Sequence, residues 1–353
     1  MIKSKKLKSV GIVGYGVYLP QEKIQVKKIA RVWGKEGEKI TKALKVSQKM
    51  VADFDEDSLT MGVEASLEAL KRAGLSPKKI GALFVGSESH PYAVKPTGTI
   101  LGEILGVGRE YFCADLEFAC KAATAGLQMV AAFLEAGLID YGLVVGTDKA
   151  QSQPGDALEY TAASGAAAFI LGRKKTEFLA QLESTTSFSS DTPDFWRREG
   201  QKYPAHAGRF TGEPGYFYHV SEGTKAFFKK TKTKPADYDY AIFHMPNGKF
   251  PRKAGQTLGF QKEQLEPGLI VDLVGNPYSA STLLGLGSVL DQAKPGQRIL
   301  LTSYGSGAGS DSFSLTVKKP LLSKREKGQL LADLIWKARE IDYPAYLKKM
   351  GVL

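Results

Sequence analysis

Residues 112–137 read FCADLEFACKAATAGLQMVAAFLEAG. Phe112 to Phe118 has the apolar character of a strand, and Lys121 to Ala136 that of a long, largely apolar helix. Cys120 stands at the turn between them. Unpaired N–H groups in the first turn of a helix favour an anion, so a thiol placed there is expected to ionise readily. Ala119, Ala122, Ala123 and Ala125 are small and leave room for a substrate. The alternative, a buried cysteine acting as a small hydrophobe, stays open on position alone. Cys113, inside the strand, reads as structural.

Outward from this stretch, strands and helices alternate, which points to an α/β protein with layered sheets. Toward the N-terminus, Ser9 to Leu19 and Gly81 to Ser87 read as strands, and Leu59 to Ala73 and Thr97 to Leu105 as helices. The acidic run Asp53 to Asp57 reads as the cap of the Leu59 helix. Toward the C-terminus, Tyr141 to Gly146 and Ala166 to Leu171 read as buried strands. The order then repeats: strand Thr176 to Ser187, helix His219 to Lys230, strand Tyr240 to His244, helix Pro251 to Leu258 and strand Leu269 to Leu273. A small-residue helix follows at Ser279 to Leu290, with strands at Arg298 to Tyr304 and Ser312 to Val317. The closing segments correspond, YGLVVGTD (141–148) and AASGAAAFIL (162–171) in one half and RILLTSYGSGAGSDSFSL (298–315) in the other. A duplicated unit is the expectation. Residues 1–174 form one half and 175–353 the other, with a polar, aromatic-rich lid at 189–218 and a charged, partly helical tail at 319–353 packed on the outside.

The chain has 353 residues, 43% hydrophobic and 24% charged, with a net charge of +11. The charge favours acidic partners, but the basic runs at Lys3 to Lys8, Lys229 to Lys234 and Lys318 to Lys327 lack the interleaved aromatics of a nucleic-acid module. A polyphosphate such as coenzyme A suits the residual attraction. No run of about 18 apolar residues is present, so no membrane span is expected. The opening MIKSKKLKSVGIVGYGVYLP passes straight into a strand and does not read as a signal peptide. Two cysteines rule out a disulfide framework and suit a reducing cytoplasm.

Partners for the thiol are sought at strand ends, where α/β folds display active groups. His244 ends the strand DYAIF, His90 follows a similar end, and His206 and His219 lie in or just after the lid; taken singly, each reads more readily as structural. Glu88 ends GALFVGSES, where a carboxylate is paired, solvated or raised in pKa, the last making it a general base. Asn276 falls between a strand and a helix, where Asn-Pro is also an ordinary turn. The glycines at 305–311, GSGAGSD, permit backbone N–H groups to approach a substrate oxygen, or simply make a tight hairpin.

Together these residues resemble the active-site set of hydroxymethylglutaryl-CoA synthase, in the compact form of its archaeal branch. The resemblance runs to about Val317. It is carried by GSES around Glu88, EFACKAAT around Cys120, YTAASGAA around Thr161, RFTGEP around Thr211, FHMPNGK around His244, GNPYSAS around Asn276 and GSGAGSD around Ser306. It implies a thiolase-like fold of two similar βαβαβαββ halves in five αβαβα layers. It also implies acetylation of Cys120 by acetyl-CoA and removal of a methyl proton by Glu88. The carbanion then attacks acetoacetyl-CoA, and hydrolysis releases 3-hydroxy-3-methylglutaryl-CoA. His244 assists at the acetoacetyl oxygen, and Asn276 positions the second substrate. Arg209 and Lys249 look like coenzyme A contacts, and Thr161, Thr211 and Ser306 like acyl contacts. Glu36 and Gly37 depart from the family's Asp-Ala or Asp-Pro pair, and Lys253 replaces a frequent Arg, losing its bidentate fork. No metal and no cofactor beyond the substrates is implied. The implied setting is the cytoplasmic mevalonate route to isoprenoids, as a dimer or higher homo-oligomer. Acetoacetyl-CoA thiolase and a small zinc-ribbon/OB-fold scaffold protein are the implied partners. The competing readings are a ketoacyl-acyl-carrier-protein synthase III-like enzyme, which does not need Glu88, and a non-catalytic partner subunit.

Overall fold

A computed structural model of the protein describes residues 7, 9–307 and 309–353. Lys3, Lys5, Lys6 and Lys8 of the first basic run, and Ala308 of the GSGAGSD turn, lie outside them. Strand β1 (Gly11–Tyr18) leads into a small insert of β2 (Glu22–Gln25), α1 (Val26–Val32), α2 (Gly37–Leu44) and β3 (Gln48–Val51). The alternation read from the sequence then appears as α3 (Ser58–Ala73), β4 (Ile80–Gly86), α4 (Thr97–Leu105), β5 (Phe112–Leu116), α5 (Ala122–Ala136), β6 (Tyr141–Lys149) and β7 (Ser164–Gly172). The acidic run does cap α3. The Asp57 carboxylate accepts the Thr60 N–H while the Thr60 hydroxyl oxygen accepts the Asp57 N–H.

The later residues give β8 (Ala180–Ser189), the short hairpin β9 (Phe195–Trp196) and β10 (Ala205–His206), then α6 (Gly208–Phe210) running through Thr211–Tyr216 into α7 (Phe217–Thr231). They continue as β11 (Tyr240–Phe243), α8 (Lys249–Leu258), α9 (Lys262–Leu265), α10 (Val271–Val274), α11 (Ser281–Leu290), β12 (Arg298–Thr302) and β13 (Gly309–Val317). The nine strands of the main sheet follow the order β11-β12-β13-β8-β1-β7-β6-β4-β5. The two halves of this sheet join between β1 and β8, where Gly11 pairs with Gln181 and Ile12 with Ala180.

That narrow junction lets the sheet wrap round α5 and α11. Helix α11 packs on β1 and β7 and also on β11 and β12. Helix α5 packs on β4 and β6, and its Gln128 amide reaches the Thr185 hydroxyl on β8 at 2.8 Å. Helices α3 and α4 cover the outside of one end, and α7 and α8 that of the other. These are the five αβαβα layers. Strands β6 and β7 are covered on both faces, which is why they are continuously apolar rather than alternating.

Three expectations are corrected. Leu269 to Leu273 is not a strand but a helical stretch, with Leu273 and Val274 N–H groups bonded to the Ile270 carbonyl. Ile270, Val271 and Val274 are buried all the same. A short apolar run reports burial, and periodicity alone does not separate a buried strand from a buried helical turn. The strand expected from Thr176 begins only at Ala180, after a 3-10 turn at Lys175–Glu177. The tail, α12 (Pro320–Arg325), α13 (Leu331–Lys337), β14 (Arg339–Glu340) and α14 (Tyr343–Lys349), does not merely coat the outside. It adds β14 beside β2 and buries Leu331, Tyr343 and Tyr346 in the core.

Candidate active site

Cys120 sits two residues before α5, as the sequence places it. The turn is made by Ala119, held at a φ of +43°, where a side chain is strained. The Lys121 N–H bonds back to the Phe118 carbonyl and the Ala122 N–H to that of Ala119. The sulfur is free and keeps 5% exposure among Ala150, Ala162, Tyr278 and Phe195. Tyr278 is itself at a positive φ of +34° and is anchored by its hydroxyl to the Gln151 carbonyl.

The thiol donates to Glu88 Oε1 at 2.9 Å. Here the expectation of a ready thiolate is corrected. Burial, and then the Glu88 carboxylate, push the Cys120 thiol well above its ordinary pKa. Burial first and Asp148 second push Glu88 up to about 8. Desolvation and a neighbouring anion outweigh the partial charge of a helix start. The pair is an S–H donating to the Glu88 carboxyl group, not a free thiolate.

Asp148, at the end of β6, is the main residue that sequence reading missed. It is fully buried. Its Oδ1 accepts from the Ser87 hydroxyl at 2.8 Å, the Ser89 hydroxyl at 2.7 Å and the Glu88 N–H at 2.8 Å. Its Oδ2 accepts from the Ser279 N–H at 2.8 Å. One carboxylate thus ties the Glu88 turn to the turn that follows Asn276. The signal was present, an acidic residue closing the apolar strand YGLVVGTD, as Glu88 closes its own.

His244 follows β11 and is 1% exposed. Its backbone is fixed by the Tyr216 hydroxyl, donating to its carbonyl at 2.7 Å, and by its N–H on the Thr302 carbonyl at 3.0 Å. Burial pushes its pKa down to about 3, so the ring is neutral. It lies 6.3 Å, centroid to centroid, from the Tyr304 ring, whose hydroxyl donates to Asp194. His244 Nδ1 lies 3.4 Å from the Thr282 hydroxyl, and the other histidines also have protein partners: His90 has Thr97, His206 has Asp156, and His219 has Ser190 and Gly215.

The Asn276 N–H bonds the Thr161 carbonyl at 2.7 Å, joining two motifs 115 residues apart in number (276 − 161). Asn276 Oδ1 and Thr211 Oγ1 are buried with no hydrogen-bond partner among the described residues. Orphaned polar atoms of this kind are where a ligand completes the hydrogen bonding. Ser306 is half-buried on a hairpin closed by mutual Gly305 and Gly309 bonds. A Cβ on Gly305 would fall 2.5 Å from the Phe118 carbonyl, so glycine lets this hairpin press on the Cys120 turn. The segment 189–218 reaches the same place. Gly307 N–H donates to Asp194, and Arg197 Nη2 donates to the Glu88 carbonyl at 3.1 Å.

Arg209, Lys249 and Lys253 are exposed, and Lys253 Nζ lies 4.6 Å from the Phe217 ring. Glu36 is exposed and paired with Lys39 at 2.7 Å, while Gly37 lies against Lys27. Their helix α2 ends at Leu44, whose carbonyl accepts the Gly248 N–H at 2.9 Å beside Lys249.

A family model described as hydroxymethylglutaryl-coenzyme A synthase N terminal matches residues 6–176. A second, described as 3-oxoacyl-[acyl-carrier-protein] synthase III C terminal, matches residues 228–317. The chain is 52% identical over 343 residues to the hydroxymethylglutaryl-CoA synthase of Methanosarcina barkeri, covering 97% of this chain and 98% of that one. It is 54% identical over 339 residues to the enzyme of the same name from Archaeoglobus fulgidus, covering 96% and 98%. Among solved structures, that of MvaS in complex with 3-hydroxy-3-methylglutaryl coenzyme A superposes with a TM-score of 0.90 at 24% identity, over 99% of this chain and 92% of that one. With half of its length or more matched at this identity, the chain belongs to the hydroxymethylglutaryl-CoA synthase family, in its archaeal form.

Proposed function

We propose that this chain joins acetyl-CoA and acetoacetyl-CoA, with water, into 3-hydroxy-3-methylglutaryl-CoA and CoA by way of an acetyl group on Cys120. The observation that carries the reading is the 2.9 Å contact between the Cys120 thiol and Glu88. As sulfur attacks the acetyl carbonyl, its proton passes to Glu88 and then to the departing CoA thiolate, which returns Glu88 to its basic form. Glu88 next takes a proton from the acetyl methyl group. The carbanion attacks the ketone carbon of acetoacetyl-CoA, and the neutral His244 ring donates to the developing alkoxide. Water cleaves the thioester to Cys120. Asn276, Thr161, Thr211 and Ser306 line the acyl site, and Arg209, Lys249 and Lys253 meet the CoA phosphates, with α2 and Glu36 alongside.

The part of the chain that carries Glu88 is the part that matches the hydroxymethylglutaryl-coenzyme A synthase N terminal. A synthase III-like enzyme has no use for a carboxylate against the sulfur. The halves 1–174 and 175–353, with the lid at 189–218, are the units of this reading. A homo-oligomer is supported by β5, an edge strand with its Phe112 ring half-exposed. The mevalonate route, the cytoplasm, and assembly with acetoacetyl-CoA thiolase and a scaffold protein complete it; the unpaired Cys120 fits a reducing compartment.

Incubation with acetyl-CoA alone is expected to add one acetyl group to the intact protein, and none to Cys120→Ala. Addition of acetoacetyl-CoA is expected to yield 3-hydroxy-3-methylglutaryl-CoA by mass spectrometry. A wild-type protein that never gains the acetyl mass sinks the reading.

The raised pKa of Glu88 fixes a pH dependence. Below it the carboxyl holds a proton and is no base; above it the base form fills. Single-turnover condensation by acetylated enzyme is therefore expected to rise as pH climbs through about 8. A rate already flat by pH 6 contradicts the assignment.

A further inference from the structure

Lys49, on β3, belongs to none of the motifs above, yet it lies directly behind two of them. It is 1% exposed. Its Nζ donates to the Glu159 carbonyl at 2.5 Å and to the Tyr346 hydroxyl at 3.0 Å, and sits 4.5 Å from the centre of the Tyr346 ring. Glu159 is fully buried, and its side chain is held by the Tyr343 hydroxyl, the Trp33 indole N–H and the Gly155 N–H at 2.9, 3.0 and 2.7 Å. Two residues further on is Thr161, whose carbonyl accepts the Asn276 N–H. The residue before Asn276, Gly275, has no room for a Cβ. One there would fall 2.8 Å from both Lys49 Cβ and the Thr161 oxygen. Lys49 is therefore wedged between the two segments that carry Thr161 and Asn276, and helix α14 closes over it.

A long amine buried this completely needs a return for the desolvation, which pushes it down to about 7. A purely apolar side chain would fill the space, but it would not hold a backbone carbonyl at a fixed place. We propose that Lys49, with Tyr346 of the C-terminal helix as its brace, is a positioning residue for the acceptor half of the site. It fixes the Glu159–Thr161 turn and, through the Thr161 carbonyl, the orphaned Asn276 side-chain oxygen. This rests on the reading above, in which Asn276 positions the second substrate and Thr161 lines the acyl site beside it. The backbone of Cys120 is fixed by the Ala119 turn and the start of α5, while Ala162, next to Thr161, only packs in the cluster around its sulfur. Lys49 therefore acts on condensation and not on acetylation.

The test separates the two half-reactions. Lys49→Met is expected to take up acetyl from acetyl-CoA at a rate within about threefold of wild type, while its KM for acetoacetyl-CoA rises about tenfold or more. Tyr346→Phe, which removes a single hydroxyl and keeps the ring, is expected to shift KM the same way by about threefold. It decides the matter if Lys49→Met does not fold. An unchanged KM in a folded variant, or equal losses in acetylation and condensation, overturns the proposal, since a merely structural role lowers both. A wild-type protein that fails to acetylate points instead to the reading of Cys120, and is seen before any variant is made.

Discussion

Replacing Glu88 with Gln is expected to lower condensation by about 10² to 10⁴-fold, the usual worth of a general base, while Cys120 still takes up acetyl. Gln keeps the length and the oxygen that accepts from the thiol at 2.9 Å, so the sulfur stays oriented. What it loses is the capacity to take a proton: acetylation slows because the thiol must lose its proton to water instead, but the methyl proton of a thioester is far less acidic and has no such route. The deficit should therefore fall on the second step, with acetyl-enzyme accumulating. Rapid-quench mass measurement of the enzyme, alongside product yield, reads both steps. Wild-type condensation by Glu88→Gln would remove Glu88 from the mechanism and revive a synthase III-like reading. Loss of acetylation to the same degree would instead make Glu88 the base for the thiol alone.

The second large effect is on stability. Lys121, immediately after the nucleophile, points into the interior with 4% of its side chain exposed, against Asp311 with none. Its Nζ meets the two carboxylate oxygens at 3.1 and 3.0 Å and lies 3.9 Å from the Phe118 ring centre. Asp311 also accepts from the Thr124 and Ser187 hydroxyls at 2.9 and 2.8 Å. Lys121→Met leaves that carboxylate buried without its counter-ion, which typically costs about 3–5 kcal/mol. Asp311→Asn in the Lys121→Met background is expected to recover part of the loss, because the uncompensated charge is gone. Denaturant unfolding of the single and double variants checks this. Additive losses in the double variant would show that the two charges do not depend on each other.

Part of this was legible before any coordinates. The helix Thr97–Leu105 has the ends its sequence announced, α3 begins at its acidic cap, and Cys120 falls at the strand-to-helix turn. Glu88 was legible as a residue out of place, a carboxylate closing an apolar strand, but its contact with the sulfur was not. Leu269 to Leu273 misled because an apolar run of that length fits a strand or a helical turn equally well. The tail misled because its many charges suggested a coat, whereas Tyr343 and Tyr346 among them are core residues.

The sequence by itself determined the alternation of elements, the place of the nucleophile in it and the order of the motifs, since periodicity, caps and turns are properties of neighbours along the chain. Only the tertiary structure decided which charges share one dry space. Cys120 lies 32 residues from Glu88, Lys121 lies 190 from Asp311 and Lys49 lies 297 from Tyr346. A proton's affinity depends on the solvent excluded and the charges drawn close, and both are set by folding. That is why the helix start promised a thiolate and the folded chain holds a thiol.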